Sequence, residues 1–140
     1  MRADQILVVD DNYDDRNIFA TVLRFFGHEV LEAEDAVTAL TLVHRHRPTL
    51  AVIDLSMPEF GGVDLARAIR GDPEIAGTNL IAVTVHRQFR EVAEGAGFDL
   101  FLEKPVESQR FLEAIQLFVK AAEPPAAPPL EREASGPVEA

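Results

Sequence analysis

Five short, mostly apolar runs, each followed by a segment with helical spacing, constrain the fold of this chain more than any other feature. The runs cover residues 6–9, 30–33, 50–53, 80–83 and 98–102. Such runs, rich in β-branched side chains, are typical of strands that are buried on both faces. Five strand–helix units predict an α/β fold: parallel strands joined by right-handed crossovers, with helices on both faces of the sheet.

Between these runs, apolar residues recur at the spacing of amphipathic helices. The spaced positions are Ile18, Phe19, Val22, Leu23 and Phe26, then Ala36, Leu40 and Val43, then Leu65, Ala68 and Ile69, and finally Phe111, Ile115 and Phe118. Gly27 and Pro48 follow the first two sets as stop signals. Residues 87–96 predict a short polar helix before the last strand.

Charge and composition exclude several classes of protein. The chain has 140 residues, no cysteine and a net charge of −11, which excludes disulfides and thiolate metal sites and disfavours direct contact with nucleic acids or membranes. No run approaches the roughly 18 apolar residues of a membrane span, so we expect a cytoplasmic protein. Five of the nine prolines lie in the last twenty residues. We therefore predict one domain over residues 1–120 and a disordered Pro/Ala-rich acidic tail or linker over residues 121–140.

Residues that suit phosphate chemistry follow the predicted strands. Asp10 and Asp11 follow the first strand, Asp54 the third, Thr84 the fourth and Lys104 the fifth. The carboxyl ends of parallel strands meet at one edge of a sheet, where such folds bind their ligands. We therefore expect these five side chains to lie together.

Three converging carboxylates repel one another unless a cation or protons compensate their charge. Oxygen ligands of this kind suit Mg²⁺, which usually takes one or two carboxylates, waters and a phosphate. Asp10 or Asp11 with Asp54, and the backbone carbonyl of Ser56, would form such a site. The Asp54 carboxylate can itself attack phosphorus, and Lys104 would then neutralise charge on the transferred group.

Each of these residues also has an ordinary structural interpretation. Asp11 or Asn12 would cap the first helix, Asp54 would stabilise a turn, Thr84 would pack at a strand end, and Lys104 would begin a surface turn. Only their joint occurrence at strand ends favours the functional interpretation. Eleven of the thirteen basic residues are Arg, so one of only two lysines occupies this position.

The sequence resembles the receiver family of two-component signalling over residues 4–120. The matching segments are ILVVDDN at residues 6–12, VIDLSMPEFGG around Asp54, AVT in the fourth predicted strand and FLEKP in the fifth. The resemblance implies a flavodoxin-like (βα)5 fold with strand order 2-1-3-4-5. It also implies a phosphoacceptor switch rather than an enzyme with turnover.

The same resemblance assigns roles to individual residues. Asp10 and Asp11 would hold Mg²⁺, and Asp54 would accept a phosphoryl group from a histidine kinase or a histidine phosphotransfer protein. Lys104 would contact that group through a loop with a cis Lys104–Pro105 bond. Thr84 and Phe101 would form a coupled switch pair.

Two positions near the predicted site depart from the family or are left open. Val85 is larger than the small residue usual after the switch threonine, so we expect it to narrow access to Asp54. Ser56 and His86 occupy positions that tune dephosphorylation in the family. His86 either positions or obstructs the attacking water, or is an ordinary solvated loop residue.

The resemblance also implies an output surface on the fourth helix, fifth strand and fifth helix. Its charged residues are Arg87, Arg90, Glu91, Glu94, Arg110 and Lys120. They would bind an unknown downstream protein or a second copy of the chain, or form a solvated face with Arg87–Glu91 and Arg90–Glu94 pairs. The chain is a stand-alone receiver or a part of a larger regulator or hybrid kinase, and we favour the first interpretation.

Two other functions remain as alternatives. The first is a phosphatase with an aspartyl-phosphate intermediate, which needs two carboxylates spaced two residues apart, whereas Asp10 and Asp11 are adjacent. The second is a receiver-like module that binds partners without phosphorylation. The complete set of acidic, Thr and Lys residues argues against it.

Overall fold

Strands and helices alternate along the whole described part of the chain, which in this computed structural model covers residues 4–57 and 61–119. The elements are β1 (Gln5–Val9), α1 (Tyr13–Phe25), β2 (Glu29–Ala33), α2 (Ala36–His46), β3 (Leu50–Asp54), α3 (Gly62–Arg70), β4 (Asn79–Thr84), α4 (Arg90–Ala96), β5 (Leu100–Glu103) and α5 (Ser108–Gln116). A single 3₁₀ turn, Arg87–Phe89, precedes α4. The predicted tail and Lys120 lie outside the described residues.

The five strands form one sheet in the order β2-β1-β3-β4-β5, and every neighbouring pair is parallel. This confirms the predicted α/β fold and its strand order. β2 lies on one side of β1, and β3, β4 and β5 follow one another on its other side. The order therefore reverses beside the carboxyl ends of β1 and β3, where a crevice opens.

Both faces of the sheet are buried against helices, because successive side chains of a strand point to opposite faces. Leu7, Val9 and Ile53 pack in one cluster that includes residues of α2, α3 and α4. Ile6 and Val8 pack in a second cluster with residues of α1 and α5. Two apolar layers thus hold the sheet, and its carboxyl edge remains available for a site.

The buried face of α1 is rotated from the face that the spacing indicated. Phe19, Ala20 and Leu23 are buried in the structure, whereas Ile18 is 57% exposed. Adjacent residues of a helix are separated by about 100°, so turning Phe19 toward the sheet leaves Ile18 outside. The predicted stop at Gly27 is confirmed, since this residue has a φ of 90° just after the helix.

The last strand begins later than predicted. β5 spans Leu100–Glu103 rather than residues 98–102. Gly97 adopts a left-handed conformation at the end of α4, and the N–H of Phe98 donates to the carbonyl of Ala93 in that helix. Phe98 therefore belongs to the end of α4, and its apolar ring packs in the core without joining the sheet. α5 similarly ends at Gln116, before Phe118.

Among the described residues, the helices are all too short or too polar to cross a membrane.

Candidate functional site

Three carboxylates meet at the crevice. Asp10 follows β1 and Asp54 ends β3, and both are buried, whereas Asp11 is exposed. One oxygen from each of the three lies within 4.8 Å of the others. The structure thus brings together the acidic residues that the sequence placed at two different strand ends.

Local hydrogen bonds orient these carboxylates. The Asp10 side chain accepts from the N–H of Asn12 at 2.9 Å, and Asn12 caps α1 by accepting from Asp15 N–H at 2.9 Å. The cap is therefore Asn12, so Asp11 is free of that role. One oxygen of Asp54 accepts from the N–H of Ser56 at 3.0 Å, which is the turn contact considered for it. Its other oxygen faces Lys104.

The first residue of α3, Gly62, lies very close to the backbone of Asp54. A Cβ atom added to Gly62, the first residue of α3, would lie 2.6 Å from the carbonyl oxygen of Asp54 and 2.9 Å from the Ile53 side chain. These distances are too short for any larger residue unless the backbone moves. Gly62 therefore lets α3 begin directly against the end of β3.

Lys104 reaches across the crevice from β5. Its Nζ atom lies 3.0 Å from Asp10, 2.9 Å from Asp15 and 3.9 Å from Asp54. The Lys104–Pro105 bond is cis, as the resemblance implied. Asp15 was missed by sequence reasoning, because an acidic residue in the first turn of a helix is common for reasons of helix polarity alone.

Burial and neighbouring charges shift the pKa values of Asp54 and Lys104. Burial raises the pKa of Asp54 from 3.8 to about 6, with a further increase from Asp10, and the Ser56 N–H and Lys104 only partly oppose this. Burial lowers the pKa of Lys104, but its bonds to Asp15 and Asp10 outweigh burial and leave that pKa raised. Asp54 is thus a buried carboxylate whose charge the protein alone compensates poorly.

The hydroxyl groups of Thr84 and Ser56 meet at the carboxyl edge of the sheet. Thr84 ends β4 and is fully buried. Its Oγ1 atom lies 3.0 Å from the Oγ of Ser56 and accepts from the N–H of His86 at 3.2 Å. Thr84 therefore connects the loop after β3 with the loop after β4.

Phe101 is buried beneath α4. Only 7% of its surface is exposed, and the guanidinium carbon of Arg90 lies 5.0 Å from the centre of its ring.

Arg90 also lies 3.7 Å from Glu94, which confirms the predicted pair within α4. The predicted pair of Arg87 with Glu91 is wrong: Arg87 lies in the 3₁₀ turn, where helical spacing does not apply, and faces Glu103 at 3.9 Å.

The two residues after Thr84 are exposed at the surface of the protein. Val85 is 55% exposed and lines a groove of about 330 Å³ together with Asp15, Ile18 and Lys104. His86 is exposed and meets the ring of Phe89 edge-on, with 5.5 Å between ring centres. Val85 therefore lines the same groove as Lys104, and its effect on access to Asp54 stays a prediction.

Known proteins share this fold and sequence pattern. The family model described as the response regulator receiver domain matches residues 6–116. The polar-differentiation response regulator DivK of Brucella anthropi is 27% identical over 116 residues, which cover 81% of this chain and 94% of that protein.

Solved structures agree with this match. A response regulator receiver protein from Pseudomonas putida is 30% identical with a TM-score of 0.77, covering 84% of this chain and 98% of that one. The receiver domain of a sensor histidine kinase from Pseudomonas aeruginosa, solved with a magnesium ion coordinated in its active-site cleft, is 25% identical with a TM-score of 0.77 and the same coverage. The matched region runs from the second residue of β1 to the end of α5, and the chain belongs to the response regulator receiver domain family.

Proposed function

We propose that this chain is a cytoplasmic phosphoacceptor switch of two-component signalling, in which Asp54 receives a phosphoryl group from a histidine kinase or a histidine phosphotransfer protein. The observation that carries the proposal is the surroundings of Asp54. This buried carboxylate lies among Asp10, Asp11 and Lys104 at the carboxyl edge of the sheet. A receiver needs this combination of a nucleophile, a cation site and a fixed positive charge.

Mg²⁺ fits the donor set of the crevice. Asp10, Asp11 and Asp54 offer hard oxygen atoms close together, and the backbone carbonyl of Ser56 would add another. When bound, the ion would neutralise negative charge on the carboxylates and on the phosphoryl oxygens. The raised pKa of Asp54 supports this assignment, because a carboxylate whose charge is poorly compensated gains most from a cation.

The proposed reaction uses residues of this chain at each step. A carboxylate oxygen of Asp54 attacks phosphorus and forms the new P–O bond. The P–N bond of the phosphohistidine breaks, and its electron pair returns to the imidazole of the donor. Lys104 then pairs with the new phosphoryl oxygens. The product is an acyl phosphate, and its hydrolysis resets the switch, so the chain is not an enzyme with external turnover.

Thr84 and Phe101 would transmit the change as a switch pair. The hydroxyl of Thr84, now 3.0 Å from Ser56, would turn toward the phosphoryl group. The space that it leaves would change the packing of Phe101 beneath Arg90. This would alter the surface of α4, β5 and α5, where a downstream protein or a second copy of the chain would bind. The acidic charge makes nucleic acid and membranes poor direct partners.

The proposal is tested by the intact mass of the protein after incubation with acetyl phosphate. We expect one phosphoryl adduct on the wild type in the presence of Mg²⁺, none with EDTA, and none on Asp54→Asn. If acetyl phosphate gives no adduct, a phosphorylated histidine phosphotransfer protein should replace it as donor. Failure of both donors would contradict the proposal and favour a module that binds partners without phosphorylation.

A further inference from the structure

One strong contact of Lys104 has no part in the proposed reaction. The ammonium group lies 2.9 Å from a carboxylate oxygen of Asp15, on the first turn of α1. Only 12% of the Lys104 side chain is exposed, compared with 43% of Asp15. The pair is therefore sheltered on the lysine side and open to solvent on the carboxylate side.

The distances from the Lys104 ammonium group show which of the nearby carboxylates it bonds to. Its Nζ donates to Asp15 and to Asp10, whereas Asp54 lies at 3.9 Å, beyond hydrogen-bonding distance. Asp10 is one of the three grouped carboxylates that suit a metal ion, but Asp15 is not. A cation held by the three grouped carboxylates would therefore take no ligand atom from Asp15.

We propose that Asp15 is a positioning residue that holds Lys104 away from Asp54 and thereby slows phosphoryl transfer. This inference rests on the proposed function. To pair with the incoming phosphoryl oxygens, Lys104 must give up at least part of its bond to Asp15. A charge-assisted bond is stronger than a neutral one, and the Asp15 carboxylate also repels an anionic donor. Both effects oppose the transfer.

Asp14 provides a matched control. It occupies the same turn of α1 and is exposed, and its side chain has no hydrogen bond or ion pair with the described residues of the structure. Asp14→Asn and Asp15→Asn change the net charge and the charge at the start of the helix equally. Only Asp15→Asn removes the charged contact with Lys104.

The first test is the rate of phosphorylation by acetyl phosphate at saturating Mg²⁺. We expect Asp15→Asn to react about three- to tenfold faster than the wild type, since one partly exposed charged contact is lost. Asp14→Asn should stay within about twofold, because exposed charges are screened, and Asp15→Glu should keep the slow rate. Equal or lower rates in Asp15→Asn, or equal gains in both Asn variants, would overturn the inference.

The second test observes Lys104 directly, without phosphorylation. The chain has only two lysines, so protein labelled with ¹⁵N-lysine gives two ammonium signals, which a Lys120→Arg variant assigns. We expect the Lys104 signal to shift and to exchange faster with water in Asp15→Asn but not in Asp14→Asn. An unchanged signal would show that Asp15 does not hold the lysine.

The two proposals fail in different ways. If no version of the protein acquires an adduct, the proposed function is wrong and the inference falls with it. If the wild type is labelled at Asp54 and Asp15→Asn is labelled no faster, only the role of Asp15 is wrong.

Discussion

At the scale of single residues, the central feature is the poorly compensated charge of the Asp54 carboxylate. Its pKa is raised to about 6 from 3.8, chiefly by burial. The folded state therefore binds more protons than the unfolded state between these values. The resulting stability is fully present below about pH 3.8 and is lost as the pH rises through about 6. Above that range the metal-free protein bears the full cost of the charge.

Asp54→Asn should accordingly stabilise the metal-free protein at neutral pH. The shift corresponds to a gain on the order of 1–3 kcal/mol in the free energy of unfolding, measured by urea denaturation in EDTA. The gain should shrink as the pH falls toward 4. Asp14→Asn, which removes the same charge from an exposed position, is the control and should have little effect. A less stable Asp54→Asn protein at pH 7 would contradict this assignment of the charge.

Val85 leads to a second prediction at this scale. Its side chain lines the groove beside Lys104, so it is placed to restrict small donors. Val85→Ala should be phosphorylated faster by acetyl phosphate than the wild type, while its stability changes little because the side chain is 55% exposed. Stopped-flow or mass-based rates compare the two proteins, and equal rates would show that Val85 does not limit access.

Sequence reasoning found some site residues and missed others for a physical reason. Asp10, Asp54 and Thr84 could be predicted because a buried apolar strand ends at or just before each of them. The strands are parallel, so their carboxyl ends lie at the same edge of the sheet. Asp15 contacts Lys104, which lies 89 residues further along the chain. The local sequence around Asp15 is that of an ordinary first turn of a helix, so the pattern carries no signal for this contact.

At the scale of elements, the start of α3 and the last turn of α4 give opposite predictions for the same substitution, Gly to Ala. Gly62→Ala places a Cβ against the backbone of Asp54, whereas at Gly95 it would meet nothing within 4 Å. We expect Gly62→Ala to destabilise the protein by about 1–3 kcal/mol and Gly95→Ala to stabilise it by about 0.5–1 kcal/mol. Thermal or urea unfolding compares them. Equal effects would contradict the close approach of α3 to β3.

The limits of the elements were predicted less well than their order. Phe98 satisfied an apolar strand pattern, but its N–H belongs to the end of α4, so β5 starts two residues later. Ile18 satisfied the helical spacing of α1 but lies outside the buried face. The first error arises because a buried apolar residue just after a helix also fits the pattern of a strand. The second arises because apolar side chains also line surface grooves, as Ile18 does, and periodicity does not distinguish these from the core.

At the scale of the whole molecule, the fold and its site follow from one arrangement. Apolar strands buried on both faces require helices on both sides, and parallel strands bring their carboxyl ends to one edge. The strand order reverses beside β1, so the acidic residues after β1 and β3 share a crevice that Lys104 enters from β5. These features were predictable because they depend on the order of elements rather than on side-chain contacts.

The central claim is that the phosphoryl group resides on Asp54, and chemical trapping locates it most directly. Borohydride reduces an acyl phosphate to an alcohol, so the phosphorylated aspartate becomes homoserine, which peptide mass mapping identifies. After phosphorylation in Mg²⁺, we predict homoserine at position 54 and at no other acidic residue, and none in protein treated with EDTA. Homoserine at Asp10 or Asp11 instead, or an unmodified Asp54 in a phosphorylated protein, would contradict the account.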